Sequence, residues 1–460
     1  MNKVSKTKKI IKFIYLTVFI AVNCGFILTA NANAPQPYIE ISEKIKSSAV
    51  VLIDGDTGQV LFEKNMHEKM YPASITKVMT ALIALEKGSL NDTIIMSYDA
   101  VYSVGRDTSH IALDENEHLT LEDALYALAI SSANDASNGI AELISGSMED
   151  FAQEMTERAK SIGTLKTNFT NSHGLPHTEH YTTAYDMARI MAEAVKIPEF
   201  LKIFSSASYD MEPTNRQEEA RQFNRKNSLL NGEYKYESVI AEKTGWTPDA
   251  GFTFVAAARR VGRTLIAVVM KSPDEIARWE DTTALFEYGF NEFTPMSFKS
   301  EEFINKDYVI EGAEGTKIRA ELIPSDDFSC FVLKEFAKRD IEVRYVLSNE
   351  SINGKLHGKA VFMLSPDMAQ SMFAELGAVD LQINLLSDEN SALDNLNSAA
   401  LYTQDRETKR RGTVSAVFEI IGLIVVIIIF LFVVLYIRKN VIILIRKKRG
   451  FGKNLYRDKY

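Results

Sequence analysis

Residues 72–80 read Pro-Ala-Ser-Ile-Thr-Lys-Val-Met-Thr, and the architecture of the chain can be worked out from this stretch. A spacing of three residues places Ser74 and Lys77 on one face of a helix, within reach of each other at its first turn. Serine is a poor nucleophile unless a neighbouring group removes its proton, and Lys77 is such a neighbour. The start of a helix also presents free backbone N–H groups that stabilise an oxyanion. The stretch therefore predicts a serine nucleophile with a lysine base.

Two further motifs follow in the order that such a site needs. Ser132-Ala133-Asn134 comes after residues 121–128, in which leucines recur at helical spacing. Lys243-Thr244-Gly245 occurs once in the chain and lies where a strand is expected to end. Ser-x-x-Lys alone is weak evidence, because Ser5 and Lys8 satisfy it as well. The complete set in this order is a strong signal of an acylating serine enzyme.

With these motifs the chain resembles the D-alanyl-D-alanine carboxypeptidases, which are the low-molecular-mass penicillin-binding proteins. The resemblance covers residues from about 38 to 295 and includes further family motifs. These are Asp54 with Thr57-Gly58, Asn65, Asn134-Asp135-Ala136, His173-Gly174-Leu175, Asp186-Met187-Ala188 and Lys243-Thr244-Gly245-Trp246-Thr247. It implies a mixed α/β catalytic domain of the penicillin-binding and β-lactamase type over residues 35–295, with an antiparallel sheet and a helical subdomain.

The apolar pattern of residues 35–295 agrees with this fold. Ala49–Ile53 and Val60–Phe62 flank a Gly-rich turn, which is typical of a β-hairpin. Phe252–Ala258 and Thr264–Met270 flank Val261-Gly262 and predict two adjoining antiparallel strands. We therefore expect strands at both ends of the domain and helices between them.

The resemblance implies a catalytic role for each polar residue of the first two motifs. Ser74 would attack the carbonyl of the terminal D-Ala-D-Ala bond and form an acyl-enzyme, with Lys77 as its base. An amine near the reference pKa of ~10.4 is protonated, so burial and the charge of Lys243 are expected to lower the pKa of Lys77. Ser132 would relay a proton to the leaving amine, and Asn134 would orient Lys77 or the substrate amide.

The third motif is expected to bind the substrate. Lys243 and Thr244 would hold the free carboxylate that marks a C-terminal peptide. Gly245 would permit close approach of the substrate along the strand edge. The backbone N–H groups of Ser74 and Trp246 would form the oxyanion hole. The expected partners are peptidoglycan stem peptides ending in D-Ala-D-Ala, with β-lactam antibiotics as covalent inhibitors. Neither a cofactor nor a metal site is expected.

Two other functions share these motifs. A β-lactamase has the same nucleophile and differs in how fast the acyl-enzyme is hydrolysed. A non-catalytic scaffold or sensor of the same fold would not need an intact Ser74, Lys77, Ser132 and Lys243. Carboxypeptidase activity is therefore the favoured interpretation.

Two positions depart from the family pattern. Ala133 stands where a glycine is common, and Glu242 stands where an apolar residue is more usual before the lysine. A carboxylate next to Lys243 would lower the positive potential of the site. Glu242 is therefore expected to affect substrate affinity.

Both ends of the chain predict export and membrane anchoring. Residues 1–34 combine lysines, an apolar run and small residues, as in a cleavable signal peptide. Residues 414–437 are long and apolar enough for one transmembrane helix, and the basic tail 438–460 is expected in the cytoplasm. This arrangement predicts a single-pass cell-membrane protein with its catalytic domain on the extracytoplasmic side.

The remaining segments predict a small domain and a tether. Residues 296–386 contain short apolar runs bounded by Gly, Asn or Pro, which is typical of a β-rich domain. Residues 387–413 are polar and predict a flexible linker. The formal net charge is −9 although both termini are rich in Lys and Arg, so the body between them is strongly acidic. An acidic surface repels phosphate, and nucleic-acid binding is therefore not expected.

Overall fold

A computed structural model describes residues 35–226, 228–311, 317–352, 355–365 and 375–386. The predicted signal peptide (1–34), linker (387–413), transmembrane helix (414–437) and basic tail (438–460) lie outside these residues. Among the helices that the structure describes, none has the length and apolar character needed to cross a bilayer.

The described helices belong to the N-terminal two thirds of the chain. They are α1 (Gln36–Lys44), α2 (Lys77–Lys87), α3 (Tyr98–Tyr102), α4 (Leu121–Tyr126), α5 (Asn134–Ser145), α6 (Met148–Ile162), α7 (Ala184–Ala194), α8 (Pro198–Phe204) and α9 (Glu275–Glu292). Several begin with a side chain that accepts a hydrogen bond from the first turn, as Thr120 does from Asp123 N in α4 and Thr183 does from Asp186 N in α7. These caps fix where the helices start.

Most of the strands lie near the two ends of the described chain, and four short ones lie between helices. They are β1 (Ala49–Asp54), β2 (Val60–Lys64), β3 (Thr93–Ile95), β4 (His118–Thr120), β5 (Ser208–Met211), β6 (Arg221–Asn224), β7 (Val239–Thr247), β8 (Gly251–Arg260), β9 (Arg263–Ser272), β10 (Phe293–Phe298), β11 (Asn305–Glu311), β12 (Lys317–Pro324), β13 (Phe328–Leu333), β14 (Ile341–Ile352), β15 (Lys355–Leu364) and β16 (Glu375–Leu385).

The main sheet has five antiparallel strands in the order β2-β1-β9-β8-β7, so β7 is an edge strand. The predicted hairpin β1–β2 and the predicted pair β8–β9 are both present. Val261 and Gly262 join β8 to β9 with positive φ angles of 49° and 81°, as a two-residue hairpin turn of the primed type requires. The predicted mixture of an antiparallel sheet and helices is therefore confirmed.

The core fills the space between the main sheet and the helices. Residues of one sheet face, including Val255 and Val268, pack with the buried faces of α2, α5 and α7. On the other face, α9 packs against β8 and β9, and the ring of Trp279 lies edge-on to Phe254 with centroids 4.7 Å apart. The sheet is covered on both sides, which explains why β1 is buried along its whole length.

The described part of the chain divides into two compact units. One contains the residues up to Glu302 with Asp326–Val346 and Ala360–Val379, and the other contains Phe303–Ser325, Leu347–Lys359 and the residues from Asp380 onward. In the region predicted to be β-rich, a second five-stranded sheet has the order β11-β12-β16-β15-β14. Buried and exposed residues largely alternate along β12, as expected for a sheet with one face against a core.

Candidate active site

Ser74 and Lys77 lie side by side at the beginning of α2. Lys77 Nζ is 3.1 Å from Ser74 Oγ. The predicted proximity is present, but Ser74 belongs to a 3₁₀ turn, Ala73–Thr76, and α2 begins at Lys77. Ala73 enters this turn with a φ of 51°, which is unusual for a residue with a Cβ and turns the chain sharply before the serine. The tighter turn leaves Ser74 partly exposed while Lys77 is buried.

The amine of Lys77 is held by acceptors from two other segments. It is 2.7 Å from Asn134 Oδ1 at the start of α5 and 2.8 Å from the backbone oxygen of His173. Burial, followed by the charge of Lys243, holds the pKa of Lys77 well below its ordinary value, although Asp135 opposes the shift. Burial and a neighbouring like charge both favour the neutral amine that a general base requires.

Ser132 lies at the end of an irregular helical segment. Helix α4 continues as a π-helical turn, Ala127–Ser131, and Ser132 then adopts a left-handed conformation with φ 57° and ψ 32°. This break turns the chain so that Asn134 can begin α5. π-helical turns occur frequently at functional sites, because the extra residue redirects the side chains that follow.

Lys243 reaches the same cleft from the edge strand β7. Its amine is 3.1 Å from Ser132 Oγ and 2.9 Å from Thr244 O. Burial, Arg225 and Arg278 lower the pKa of Lys243 to about 7, while Glu242 opposes them. Ser74, Lys77 and Asn134 are thus linked by one set of hydrogen bonds, and Ser132 and Lys243 by another. The charge of Lys243 lowers the pKa of Lys77, so the structure brings these predicted site residues together.

Gly245 allows β7 to approach the nucleophile closely. A Cβ at this position would lie 2.4 Å from Thr253 Oγ1, 2.8 Å from Ser74 N and 3.1 Å from Ala73 Cβ. The sequence predicted that this glycine makes room for the substrate, and the structure adds that it makes room for the backbone of Ser74. Thr253 fixes the same contact from β8, because its hydroxyl donates to Pro72 O at 2.8 Å.

Thr244 and Trp246, on either side of Gly245, are less buried than Lys243. The side chain of Trp246 is 55% exposed, and its ring centroid is 6.2 Å from that of Phe252. Thr244 is partly buried. Because Gly245 contacts Ser74 N, the backbone of Trp246 follows directly after the point where β7 meets the nucleophile.

Two histidines near Lys77 are structural. The amide N–H of Leu175 donates to His173 Nδ1 at 3.1 Å, and the amide of Thr170 donates to His180 Nδ1 at 3.1 Å. Burial lowers the pKa of His180 to about 3, so its ring is neutral and its Nε2–H can donate to Thr76 Oγ1 at 2.9 Å. In the described residues no group of His, Cys, Asp or Glu could hold a metal ion.

Arg278 was missed by the sequence analysis. It lies on α9 with its guanidinium 5.3 Å from the Phe252 ring centroid, and its charge lowers the pKa of Lys243. Its Nε atom is buried without a hydrogen-bond partner, whereas its Nη2 donates to Glu275 at 2.6 Å. The sequence does not indicate that this arginine acts on Lys243, since only the packing of α9 against β8 brings it near the third motif.

Comparison with known proteins identifies a family and several similar chains. Residues 31–274 match the peptidase S11 family, described as D-alanyl-D-alanine carboxypeptidase. The chain is 33% identical over 309 residues to the D-alanyl-D-alanine carboxypeptidase DacF of Bacillus subtilis, covering 66% of this chain and 76% of that protein. It is 29% identical over 371 residues to DacA of Haemophilus influenzae, covering 78% and 90%. Penicillin binding protein 5 from Haemophilus influenzae has a similar structure, with a TM-score of 0.57 at 27% identity over 74% of this chain and 98% of that one.

Proposed function

The chain belongs to the peptidase S11 family of D-alanyl-D-alanine carboxypeptidases, and we propose that Ser74, Lys77, Ser132 and Lys243 are the residues with which it carries out this reaction. It is a serine-type carboxypeptidase that removes the terminal D-alanine from peptidoglycan stem peptides and binds penicillin. The observation that carries the assignment of residues is the 3.1 Å contact between Lys77 Nζ and Ser74 Oγ inside a buried cluster.

The acceptors around Lys77 explain how it can act as the base. A neutral amine has two N–H donors and one lone pair. Asn134 Oδ1 and His173 O can only accept, so they take both donors, at 2.7 and 2.8 Å. The lone pair is then directed at the remaining neighbour, the hydroxyl of Ser74, whose proton it can remove as Oγ attacks the carbonyl. The bond between the last two D-alanines breaks, and Ser74 keeps the acyl group.

Ser132 and Lys243 complete the proton path. The leaving amine of D-alanine needs a proton, and Ser132 can pass one on, because its hydroxyl lies 3.1 Å from the amine of Lys243. Lys243 donates to Ser132 Oγ and Thr244 O and, when protonated, has one N–H left for the terminal carboxylate of the substrate. The charge of Arg278, which acts on Lys243, adds to the attraction for that carboxylate. The N–H groups of Ser74 and Trp246 serve as the oxyanion hole.

The same proposal includes the predicted location. Residues 1–34 direct export, residues 414–437 anchor the chain in the cell membrane, and the catalytic domain works on the extracytoplasmic side, where stem peptides occur. The apolar run of 414–437 and its basic flank support this orientation.

The test is covalent labelling of the purified full-length protein by a fluorescent penicillin, together with release of D-alanine from a peptide ending in D-Ala-D-Ala. Ser74→Ala should abolish both, and labelling that persists in this variant would show that Ser74 is not the nucleophile. Lys77→Ala should abolish acylation while circular dichroism shows a folded protein, and normal acylation would exclude the base role. Rapid turnover of penicillin beside slow peptide hydrolysis would favour a β-lactamase.

A further inference from the structure

The residue before Lys243 is a carboxylate buried on the other face of β7. Glu242 has no exposed surface, and because side chains alternate across a strand, it points away from the cleft that Lys243 faces. Glu242 Oε2 accepts from Leu229 N at 3.1 Å, and Oε1 accepts from Arg225 Nη1 at 3.4 Å. The carboxylate is therefore fixed by the connection between β6 and β7.

Arg225 is a buried cation that depends on this carboxylate. Its guanidinium also donates to Ser206 O at 3.2 Å and Phe204 O at 3.3 Å, and its side chain is 6% exposed. Backbone carbonyls satisfy its hydrogen bonds but do not cancel its charge. Glu242 is thus the counter-ion of Arg225 in a place that solvent ions do not screen.

Arg225 and Glu242 belong to a larger charged cluster around the proposed carboxylate site. Lys243 and Arg278 add two buried cations, and Arg278 pairs with Glu275, whose side chain is 57% exposed. When all five groups are ionised, the cluster carries one net positive charge. A single substrate carboxylate neutralises that charge, whereas the cluster without Glu242 would carry two.

Stability alone does not account for a carboxylate at this position. A buried ion pair contributes little net stability, and apolar residues of similar volume often replace one without loss. Glu242 also departs from the apolar residue usual before the lysine in this family. We propose that Glu242 is a positioning residue for substrate recognition, which compensates Arg225 and thereby keeps Lys243 charged and able to bind the terminal carboxylate. This rests on the proposed role of Lys243.

The surroundings of Lys243 agree with a balance of this kind. Burial, Arg225 and Arg278 lower the pKa of Lys243 to about 7, and Glu242 opposes them. The charge of Lys243 in turn lowers the pKa of Lys77. The strand and helix packed most closely against β7 carry the remaining charged groups, namely Arg259 and Arg260 at the far end of β8 and the exposed Glu199 and Lys202 of α8.

The test compares pH profiles of kcat/KM for a D-Ala-D-Ala peptide. Glu242→Gln keeps the size of the side chain and an oxygen for Leu229 N but removes the charge. We expect the alkaline limb of the profile to move to lower pH by about one unit, because Lys243 loses its proton earlier. Above that limb KM should rise about tenfold while kcat changes less, since bound carboxylate helps to keep Lys243 protonated. An unchanged limb would overturn the proposal.

Three further variants separate charge from structure. Glu117→Gln is a matched control, because Glu117 is buried and paired with Arg221 at 2.7 Å but is not among the groups that shift Lys243. It should lower the melting temperature and leave the limb in place. Arg225→Gln should move the limb to higher pH, and the Glu242→Gln/Arg225→Gln double variant should return it toward the wild-type position. If the alkaline limb of the double variant lay at the same low pH as that of Glu242→Gln, charge compensation would be contradicted.

Failure of the inference can be told apart from failure of the proposed site. The wild-type protein is first tested for D-alanine release and for penicillin labelling at Ser74, and loss of either result would overturn the site itself. With both present, the position of the limb decides the role of Glu242. If Glu242→Gln does not fold, the upward shift in Arg225→Gln decides it instead, and no shift there rejects the proposal.

Discussion

Replacing Gly245 by alanine is a direct test of the claim that β7 positions the nucleophile. The added Cβ would lie 2.4 Å from Thr253 Oγ1 and 2.8 Å from Ser74 N. Both separations are shorter than real Cβ contacts, so the neighbouring atoms must move. Thr253 is a side chain that can be changed, but Ser74 N is backbone, and its displacement shifts the nucleophile and the oxyanion donor together.

The expected magnitudes follow from these contacts. Overpacking of this kind costs about 1–3 kcal/mol, which lowers the melting temperature by about 2–12 °C in a unit of this size. The catalytic loss should be larger. Removing one oxyanion donor costs about 10²- to 10³-fold in rate, and a misplacement of about 1 Å costs about 10²-fold. We therefore expect the rate of acylation by penicillin to fall by about 100-fold or more in Gly245→Ala.

Stopped-flow acylation and thermal unfolding separate the two effects. Adding Thr253→Ala to Gly245→Ala removes the 2.4 Å contact but not the contact with Ser74 N. Thr253→Ala alone measures the cost of losing the hydroxyl's bond to Pro72 O. After correction for that cost, the double variant should be more stable than Gly245→Ala. Its acylation should remain slow.

Gly88→Ala provides the matched control. Its Cβ would meet Leu121 Cδ2 at 2.7 Å and Ala84 O at 3.0 Å, with no catalytic group among its nearest neighbours. It should be destabilised but acylate normally. Gly245→Ala that acylates at the wild-type rate would refute the positioning argument, and Gly88→Ala as slow as Gly245→Ala would show that general destabilisation is the cause.

Three other measurements test separate parts of the site. The pH profile of kcat/KM should be bell-shaped. Its value should fall at low pH as Lys77, whose pKa is lowered by burial, gains a proton. It should also fall as the pH rises past about 7, because Lys243, with a pKa of about 7, loses its proton. Ser132→Gly and Ser132→Ala should both slow acylation. Urea unfolding should show that Ser132→Gly is more stable than Ser132→Ala by up to about 1 kcal/mol, because the left-handed conformation strains a residue with a Cβ. Asp135→Asn should cost about 1–3 kcal/mol and speed hydrogen exchange at Ile111 and Leu113, whose amides donate to the carboxylate at 3.2 and 3.1 Å.

The sequence predicted the composition of the site better than its geometry. Ser74, Lys77 and Lys243 were found because a base must lie near its nucleophile and a carboxylate needs a cation, and these needs restrict residue types and spacing. The 3₁₀ turn at Ser74 and the π-helical turn before Ser132 were not found. Both segments have the apolar spacing of an ordinary α-helix. Whether such a segment forms an α-, 3₁₀- or π-helical turn depends on how α2 and α5 pack.

Roles that arise from tertiary contacts were also beyond the sequence. The sequence predicted only that Gly245 makes room for the substrate, since nothing in the neighbouring sequence indicates that Ser74 N lies against it. Glu242 was recognised as unusual, but its partner Arg225 lies 17 residues earlier in an irregular connection. The segments 1–34 and 387–460 lie outside the described residues, so their assignments stay predictions.

The two lysines of the cleft must hold opposite protonation states, and the arrangement of acceptors and charges explains how. Both amines are buried, and each would be easier to protonate without the other. Lys77 can do without its proton because Asn134 and His173 take both N–H groups of the neutral amine. Lys243 keeps its proton through Glu242 and through the arriving carboxylate. The bound carboxylate favours the protonated form of Lys243, while burial, the largest cause of the lowered pKa of Lys77, continues to favour its neutral form. Substrate recognition thereby selects the protonation state in which Ser74 can react.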